Sequence, residues 1–222
     1  LGDVYKRQPE GPYRDLYSPW FDFGYSAIDC HIFQDDDLDG SLYLFFSRNT
    51  SRPGIAIGQN YVVRLKDDLS GTMGAPEIVV EADQPWEMVD WESNRANEGA
   101  FVFKYNGKYY MTYSANNTGY EYYGVGYATA DHPMGPWTKA EENPILATDL
   151  SRGVSSPGHN SIVFSPDSTE RFIIYHRHAD PEGERPSFDR VVCIDRLVID
   201  SVGRLRVVGP TSTPQPMPSG VH

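Results

Sequence analysis

This 222-residue sequence predicts an all-β protein built from repeated antiparallel hairpins. Two observations support the prediction. Segments in which aromatic or aliphatic residues alternate with polar ones recur along the chain, and no long stretch has the spacing of an amphipathic helix. Turn-forming residues are also abundant, with 20 glycines and 17 prolines, as expected when many short strands are joined by tight turns.

The clearest hairpin is centred on Asn106-Gly107. Its two strands, 101–105 and 108–114, both alternate large apolar side chains with smaller or polar ones. Asn-Gly is the favoured two-residue connection because both central residues of the turn must adopt positive φ. We therefore expect a tight antiparallel turn at this point.

The hairpin recurs twice more in the sequence. Runs similar to its second strand occur at 41–47 and 171–177, so the repeats are about 65 residues apart, and each run follows a turn signal. Each repeat also has room for two further strands. Four antiparallel strands per repeat are typical of a β-propeller blade, although the period exceeds the usual ~40–50 residues and requires long connections. Candidate third strands lie at 61–65, 124–128 and 191–195.

One partial propeller domain is predicted over residues 9–222. Residues 1–8 lack the apolar core and cleavage pattern of a signal peptide, and we interpret them as an artificial or assembly leader outside the fold. A natural targeting signal is therefore not observable. The predicted blades span about 27–83, 97–147 and 154–215.

The composition limits the partners. The net charge is −12, with 19 basic and 31 acidic residues, which argues against nucleic acid or an anionic membrane surface. There is no apolar run long enough to predict a membrane span. The two cysteines, Cys30 and Cys193, do not make a disulfide framework and are interpreted as free thiols.

Three polar residues stand at equivalent places just before the first strands of the three hairpins: Asp29, Glu98 and His159. The innermost strands of a propeller line its axis, so these side chains should converge on one pocket. Two carboxylates there are the minimum for splitting a glycosidic bond, one protonated and one ionised. They would equally suit a carbohydrate-binding propeller without catalysis, whereas a propeller for protein partners predicts no axial pocket. Arg190, at the start of a third strand, could reach the axis as an anion or hydroxyl clamp.

Three motifs resemble those of glycoside hydrolase family 43. They are Ala27-Ile28-Asp29, Asn97-Glu98-Gly99 and Pro157-Gly158-His159-Asn160, each followed by its hairpin strand, and together they cover most of residues 9–215. The resemblance implies a five-bladed propeller. It also implies an inverting hydrolase that acts on arabinose-, xylose- and some galactose-containing plant polysaccharides. One departure is Ala100, where the family usually has proline.

The resemblance also implies a role for each site residue. Glu98 would be the general acid, and Asp29 would orient it and raise its pKa through like charge. His159 would bind substrate, and in some members the equivalent histidine helps to hold a central calcium ion or water cluster. Arg190 resembles the arginine that contacts the sugar in the innermost subsite. No cofactor is otherwise required.

The resemblance leaves one catalytic group unaccounted for. The general-base aspartate normally lies about two blades before the position of Asp29, and only 28 residues precede Asp29 here. We therefore expect the last three blades of five, with little hydrolytic activity in the absence of a base. Open blade faces predict self-association. An extracellular or periplasmic location is expected for a polysaccharide hydrolase.

Overall fold

The computed structural model describes residues 12–18 and 20–221. These residues form an all-β protein, as predicted, and none of their helices is long and apolar enough to cross a membrane. The leader assigned to residues 1–8 lies outside the described residues. The strands are β1 (Ala27–Asp35), β2 (Ser41–Asn49), β3 (Ala56–Arg64), β4 (Glu77–Val80), β5 (Asn94–Tyr105), β6 (Lys108–Ala115), β7 (Gly124–Ala130), β8 (Thr138–Lys139), β9 (Gly158–Phe164), β10 (Arg171–His178), β11 (Arg190–Ile199) and β12 (Leu205–Val208), and the short 3-10 helices are Asp36–Leu38, Pro85–Glu87 and Leu150–Arg152.

The strands pair in three antiparallel groups: β1–β4, β5–β8 and β9–β12. The first two groups form one eight-stranded sheet, because Ala56–Gly58 of β3 pairs in parallel with Asn94–Ala96 of β5. The third group is a separate sheet in the order β12-β11-β10-β9. Neither sheet closes on itself, and the number of blades in the propeller stays a prediction.

The central turn has the geometry that its sequence predicts. Asn106 and Gly107 have φ values of 50° and 77°, and Tyr105 pairs with Lys108 across the turn. Asp39 and Gly40 also have positive φ, at 54° and 72°, where β1 connects to β2. Local turn chemistry therefore sets the register of these hairpins.

Apolar side chains fill the spaces between successive groups. Val62 of the first group packs in one core cluster with Tyr113 of the second. Tyr127 of the second group packs in another cluster with Ile173 of the third. The first strand of each group therefore lies beside its neighbour, with β5 in contact with both β1 and β9.

The two outermost faces of the described residues differ. Trp20, Phe21, Phe23 and Tyr25 pack over the first sheet, where the Phe23 ring stacks on Phe46 at 5.2 Å. The far face of the β9–β12 sheet is partly exposed, and its exposed apolar members are Val163, Val192, Ile194 and Val208.

Candidate active site

The predicted site residues lie inside strands, at β-bulges. Asp29 in β1 and His159 in β9 are bulge residues with φ values of 57° and 49°. In β5 the equivalent residue is Gly99, with φ 63°, and Glu98 lies one position earlier. This corrects the expectation that the three polar residues are equivalent and precede their strands. A bulge adds an unpaired residue, which simple alternation does not count.

The bulges bring the side chains of β1 and β9 together. His159 Nε2 lies 3.8 Å from Asp29 Oδ1. The imidazole also lies against Gly99, where a Cβ would stand 3.4 Å from the ring. The backbone N–H of His159 donates a hydrogen bond of 2.8 Å to Ser114 Oγ in β6. Side chains from the first and third groups therefore meet over the second, as the sequence predicts.

Glu98 is a largely buried carboxyl group. Its Oε1 accepts a hydrogen bond of 2.7 Å from the Tyr123 hydroxyl. The pKa of Glu98 is raised above its ordinary value, chiefly by burial and also by the negative charge of Asp29, while the Tyr123 hydrogen bond and the charges of His159 and Arg190 oppose the rise. A carboxyl group with this property can hold a proton closer to neutral pH and deliver it to a substrate.

Asp29 has an unusual environment for a carboxylate. Its side chain is only 18% exposed, and its Oδ2 is buried without a hydrogen-bond partner among the described residues. An unpaired buried carboxylate oxygen is costly, so such an atom commonly marks a place that a ligand or another group completes. Asp29 can therefore act on Glu98 through its negative charge as well as pair with His159.

Arg190 is the first residue of β11 and is exposed to solvent. It pairs with His178 in the strand ladder. Its positive charge acts on both Glu98 and His176. All four site residues predicted from the sequence, Asp29, Glu98, His159 and Arg190, therefore belong to one region.

Two further residues of this region were not predicted. Tyr123, which hydrogen-bonds to Glu98, is 1% exposed although it follows a polar stretch of sequence. His176 stacks on the Tyr123 ring with 5.8 Å between centroids, and neither of its ring nitrogens has a hydrogen-bond partner among the described residues. Burial, aided by nearby Arg190, lowers the pKa of His176 to about 4. The one signal of this packing in the sequence is Gly158, because a Cβ at this position would overlap the Tyr123 ring.

A cavity of about 250 Å³, lined by both polar and apolar residues, opens beside Glu98. It lies between the ends of β2 and β5 and the connection that follows β6. The amide and hydroxyl groups in its lining are suited to hydrogen-bonding the hydroxyl groups of a sugar. Its lining includes Ser47, Asn49, Ser51, Asn94, Asn117 and Thr118.

The residues around His159 do not by themselves fit a calcium site. Calcium takes about six to eight oxygen ligands. His159 has one carboxylate, Asp29, at ion-pair distance. Across residues 12–18 and 20–221, no group of three or more His, Cys, Asp or Glu side chains could hold a metal ion.

A half-buried carboxyl group with a raised pKa, beside a second carboxylate and a cavity, is characteristic of glycoside hydrolases. The family described as Glycosyl hydrolases family 43 matches residues 4–204 of the chain. The chain belongs to this family.

Individual relatives support the assignment. The chain is 35% identical over 208 residues to a beta-D-galactofuranosidase of Aspergillus niger, covering 92% of this chain and 53% of that protein. It is 28% identical over 224 residues to alpha-L-arabinofuranosidase B of Pyricularia oryzae, covering 93% and 43%. The crystal structure of a thermostable family-43 glycoside hydrolase matches with a TM-score of 0.87 and 43% identity, covering 95% of this chain and 67% of that one. The chain thus spans about half the length of these curated relatives.

Proposed function

We propose that this chain carries the proton-donating part of an inverting glycoside hydrolase site, with Glu98 as the general acid. The substrates would be arabinofuranosyl or xylosyl linkages in plant cell-wall polysaccharides. The observation that carries the proposal is the half-buried Glu98 carboxyl, whose pKa is raised and which borders the cavity. The names of the furanosidase relatives support the sugar class.

The reaction needs a proton for the leaving oxygen. Protonated Glu98 would donate its proton to the glycosidic oxygen while the bond from that oxygen to the anomeric carbon breaks. The charge of Asp29 helps Glu98 to retain the proton until that point. Arg190 and His159 would bind the sugar, since both approach Glu98 from β11 and β9.

The reaction also needs a base that activates water on the opposite face of the sugar. In inverting enzymes this carboxylate lies about 6.5–9.5 Å from the acid. We propose that the base lies outside residues 12–18 and 20–221, and that the chain alone hydrolyses glycosides slowly. The proposal is supported by the length comparison, since the chain covers 53% of the galactofuranosidase relative.

A galactofuranosyl linkage is the second candidate, because the relative that is 35% identical bears that name. Alpha-L-arabinofuranose and beta-D-galactofuranose share their ring stereochemistry and differ by one exocyclic hydroxymethyl group. A single site could therefore accept either ring if the cavity has room for the additional arm. An extracellular or periplasmic location follows from the proposed substrate, because a polysaccharide does not cross a membrane.

Azide offers a test that bypasses the base, since this anion attacks the anomeric carbon without losing a proton. Phenyl arabinofuranoside, galactofuranoside and xylopyranoside are incubated with the chain and azide, and phenol release is measured. Phenol is a poor leaving group that needs an acid, so Glu98→Gln should slow release by about 10²–10⁴-fold. Dinitrophenyl glycosides are the matched control, because their leaving group needs little protonation.

The alternative is a carbohydrate-binding propeller without catalysis. It predicts that oligosaccharides bind the chain, that azide releases no phenol above the buffer rate, and that Glu98→Gln alters affinity or nothing. Equal rates for the wild-type chain and Glu98→Gln on phenyl glycosides would remove Glu98 from the role of acid. The glycoside that reacts fastest identifies the sugar.

A further inference from the structure

We propose that Tyr123 is the positioning residue of the general acid and determines which oxygen of Glu98 delivers the proton. This inference rests on the proposed role of Glu98. The Tyr123 hydroxyl donates to Oε1 at 2.7 Å, which leaves Oε2 as the oxygen free to carry a proton. A proton on Oε1 would compete with this donor, because a hydroxyl hydrogen needs an acceptor lone pair.

The tyrosine ring is held on two sides. A Cβ on Gly158 would lie 2.1 Å from a ring carbon of Tyr123, so only glycine allows the β9 backbone to approach this closely. On another side the His176 ring stacks in parallel, with an interplanar angle of 7°. With 1% of its surface exposed, Tyr123 has little freedom to turn its hydroxyl away from Glu98.

The hydroxyl remains a donor at all relevant pH values. Burial is the main reason that the pKa of Tyr123 is well above its ordinary value, and the charge of Glu98 raises it further. Ser114 acts in the opposite direction. The other groups that act on Glu98 are Asp29, His159 and Arg190. None of these three donates a hydrogen bond to Glu98 in the described part of the chain, so Tyr123 is its directional partner.

The packing of Tyr123 also explains why glycine precedes histidine in the Gly158-His159 dipeptide. Gly158 precedes His159, and its lack of a side chain accommodates Tyr123 beside Glu98. His159 then turns through positive φ toward Asp29. Gly158 therefore lets Tyr123 reach Glu98, and the adjacent His159 contacts Asp29 directly.

The test is a titration of Glu98 by carbon NMR in the 222-residue chain labelled at glutamate carboxyls. Tyr123→Phe keeps the ring and removes the donor. Because the hydrogen bond favours the ionised form, we expect the midpoint of Glu98 to rise by about one pH unit, a tenfold change in its proton affinity. Tyr122→Phe, the same chemical change at the neighbouring residue, is the control and should leave the midpoint in place.

A second readout follows the protonated acid. Its carbonyl stretch in the infrared should move to higher frequency in Tyr123→Phe, because Oε1 then loses its hydrogen-bond donor. If Tyr123→Phe does not fold, 3-fluorotyrosine at position 123 provides the second test, since it keeps the ring and makes the hydroxyl a stronger donor, so the Glu98 midpoint should fall.

The proposal is overturned if Glu98 has the same midpoint and carbonyl frequency in the wild-type chain and in folded Tyr123→Phe. An equal shift in Tyr122→Phe would contradict it as well. No rate enters this test, so its outcome is separate from that of the hydrolase assay. Tyr123 can hold Glu98 in a chain that cleaves nothing, and Glu98 can be the acid without Tyr123 selecting its oxygen.

Discussion

Asp29 of β1 and His159 of β9 occupy the same bulge position in their strands and meet at 3.8 Å across the site. Each has positive φ, which most residues with a side chain avoid. The bulge bends the strand and changes the direction of the side chain. Two residues 130 positions apart in the sequence therefore form a pair that neither strand would produce with a regular pleat.

The backbone strain at Asp29 can be measured. Asp29→Gly should retain or increase stability, because glycine adopts φ of 57° without steric cost. Asp29→Val should be less stable than Asp29→Gly by about 1–2 kcal/mol, the cost of a left-handed conformation for a side chain with a Cβ. Urea unfolding of both variants gives the difference. Equal stabilities would show that the bulge relaxes easily.

Glu98→Gln should stabilise the chain at neutral pH. The folded state raises the pKa of Glu98, so it binds the proton more tightly than the unfolded state does, and stability falls as pH rises through the interval above the ordinary value. Glutamine cannot ionise and escapes this loss, which is about 1.4 kcal/mol per unit of raised pKa. Denaturant unfolding should show an advantage at pH 7 that disappears toward pH 4.

Exposed Glu141 provides the control for this prediction. Glu141→Gln makes the same chemical change at the surface and should alter stability by less than about 0.5 kcal/mol at both pH values. A pH-independent effect of Glu98→Gln, or a loss of stability at pH 7, would contradict the burial of an acid that retains its proton.

Much of the fold was predictable because its signals are local. Asn106-Gly107 specifies its own turn geometry, and alternation identifies the strands on either side. The same hairpin signals led to Asp29 and Glu98, which the structure places within the first strands of their hairpins and not before them. The sequence did not reveal that Glu98 differs in position from Asp29 and His159. In β5 the bulge position is occupied by Gly99, and Glu98 lies one residue earlier.

Contacts between distant segments account for what the sequence did not predict. Tyr123 hydrogen-bonds to a residue 25 positions earlier and packs against Gly158 on another sheet. His176 belongs to a strand whose alternation is ordinary, and its importance comes from stacking on that tyrosine. Neither contact has a periodic or turn-type signature in a single sequence.

His176 should make the chain sensitive to acid. Burial lowers its pKa from 6.5 to about 4, so between these values the unfolded state binds more protons and stability falls as pH falls. His176→Phe keeps an aromatic ring against Tyr123 and removes the titrating group. The variant should therefore lose less stability than the wild-type chain between pH 7 and pH 4.5, measured by denaturant unfolding.

The exposed His132 of a turn is the control for acid sensitivity. His132→Gln should follow the wild-type pH curve. An unchanged acid dependence in His176→Phe would mean that His176 is hydrated in solution.

The exposed face of the β9–β12 sheet should mediate self-association. Val192 lies on this face and is 77% exposed. Val192→Lys would place a charge in the contact and remove apolar burial worth about 1.5–3 kcal/mol, so association should weaken by roughly tenfold or more. Sedimentation velocity over a range of concentrations measures this. Val202→Lys, at a turn residue that is 73% exposed, should have no effect; equal effects would contradict an interface at this face.

Burial and the negative charge of Asp29 raise the pKa of Glu98. Carbon NMR titration of the glutamate carboxyls measures this directly in the wild-type chain and in Asp29→Asn, because asparagine tolerates the positive φ of the bulge. We predict that Glu98 titrates above the exposed glutamates in the wild-type chain and moves down in Asp29→Asn, since a negative neighbour is lost. A Glu98 that titrates with the surface glutamates and does not respond to Asp29→Asn would show that neither burial nor Asp29 raises its pKa.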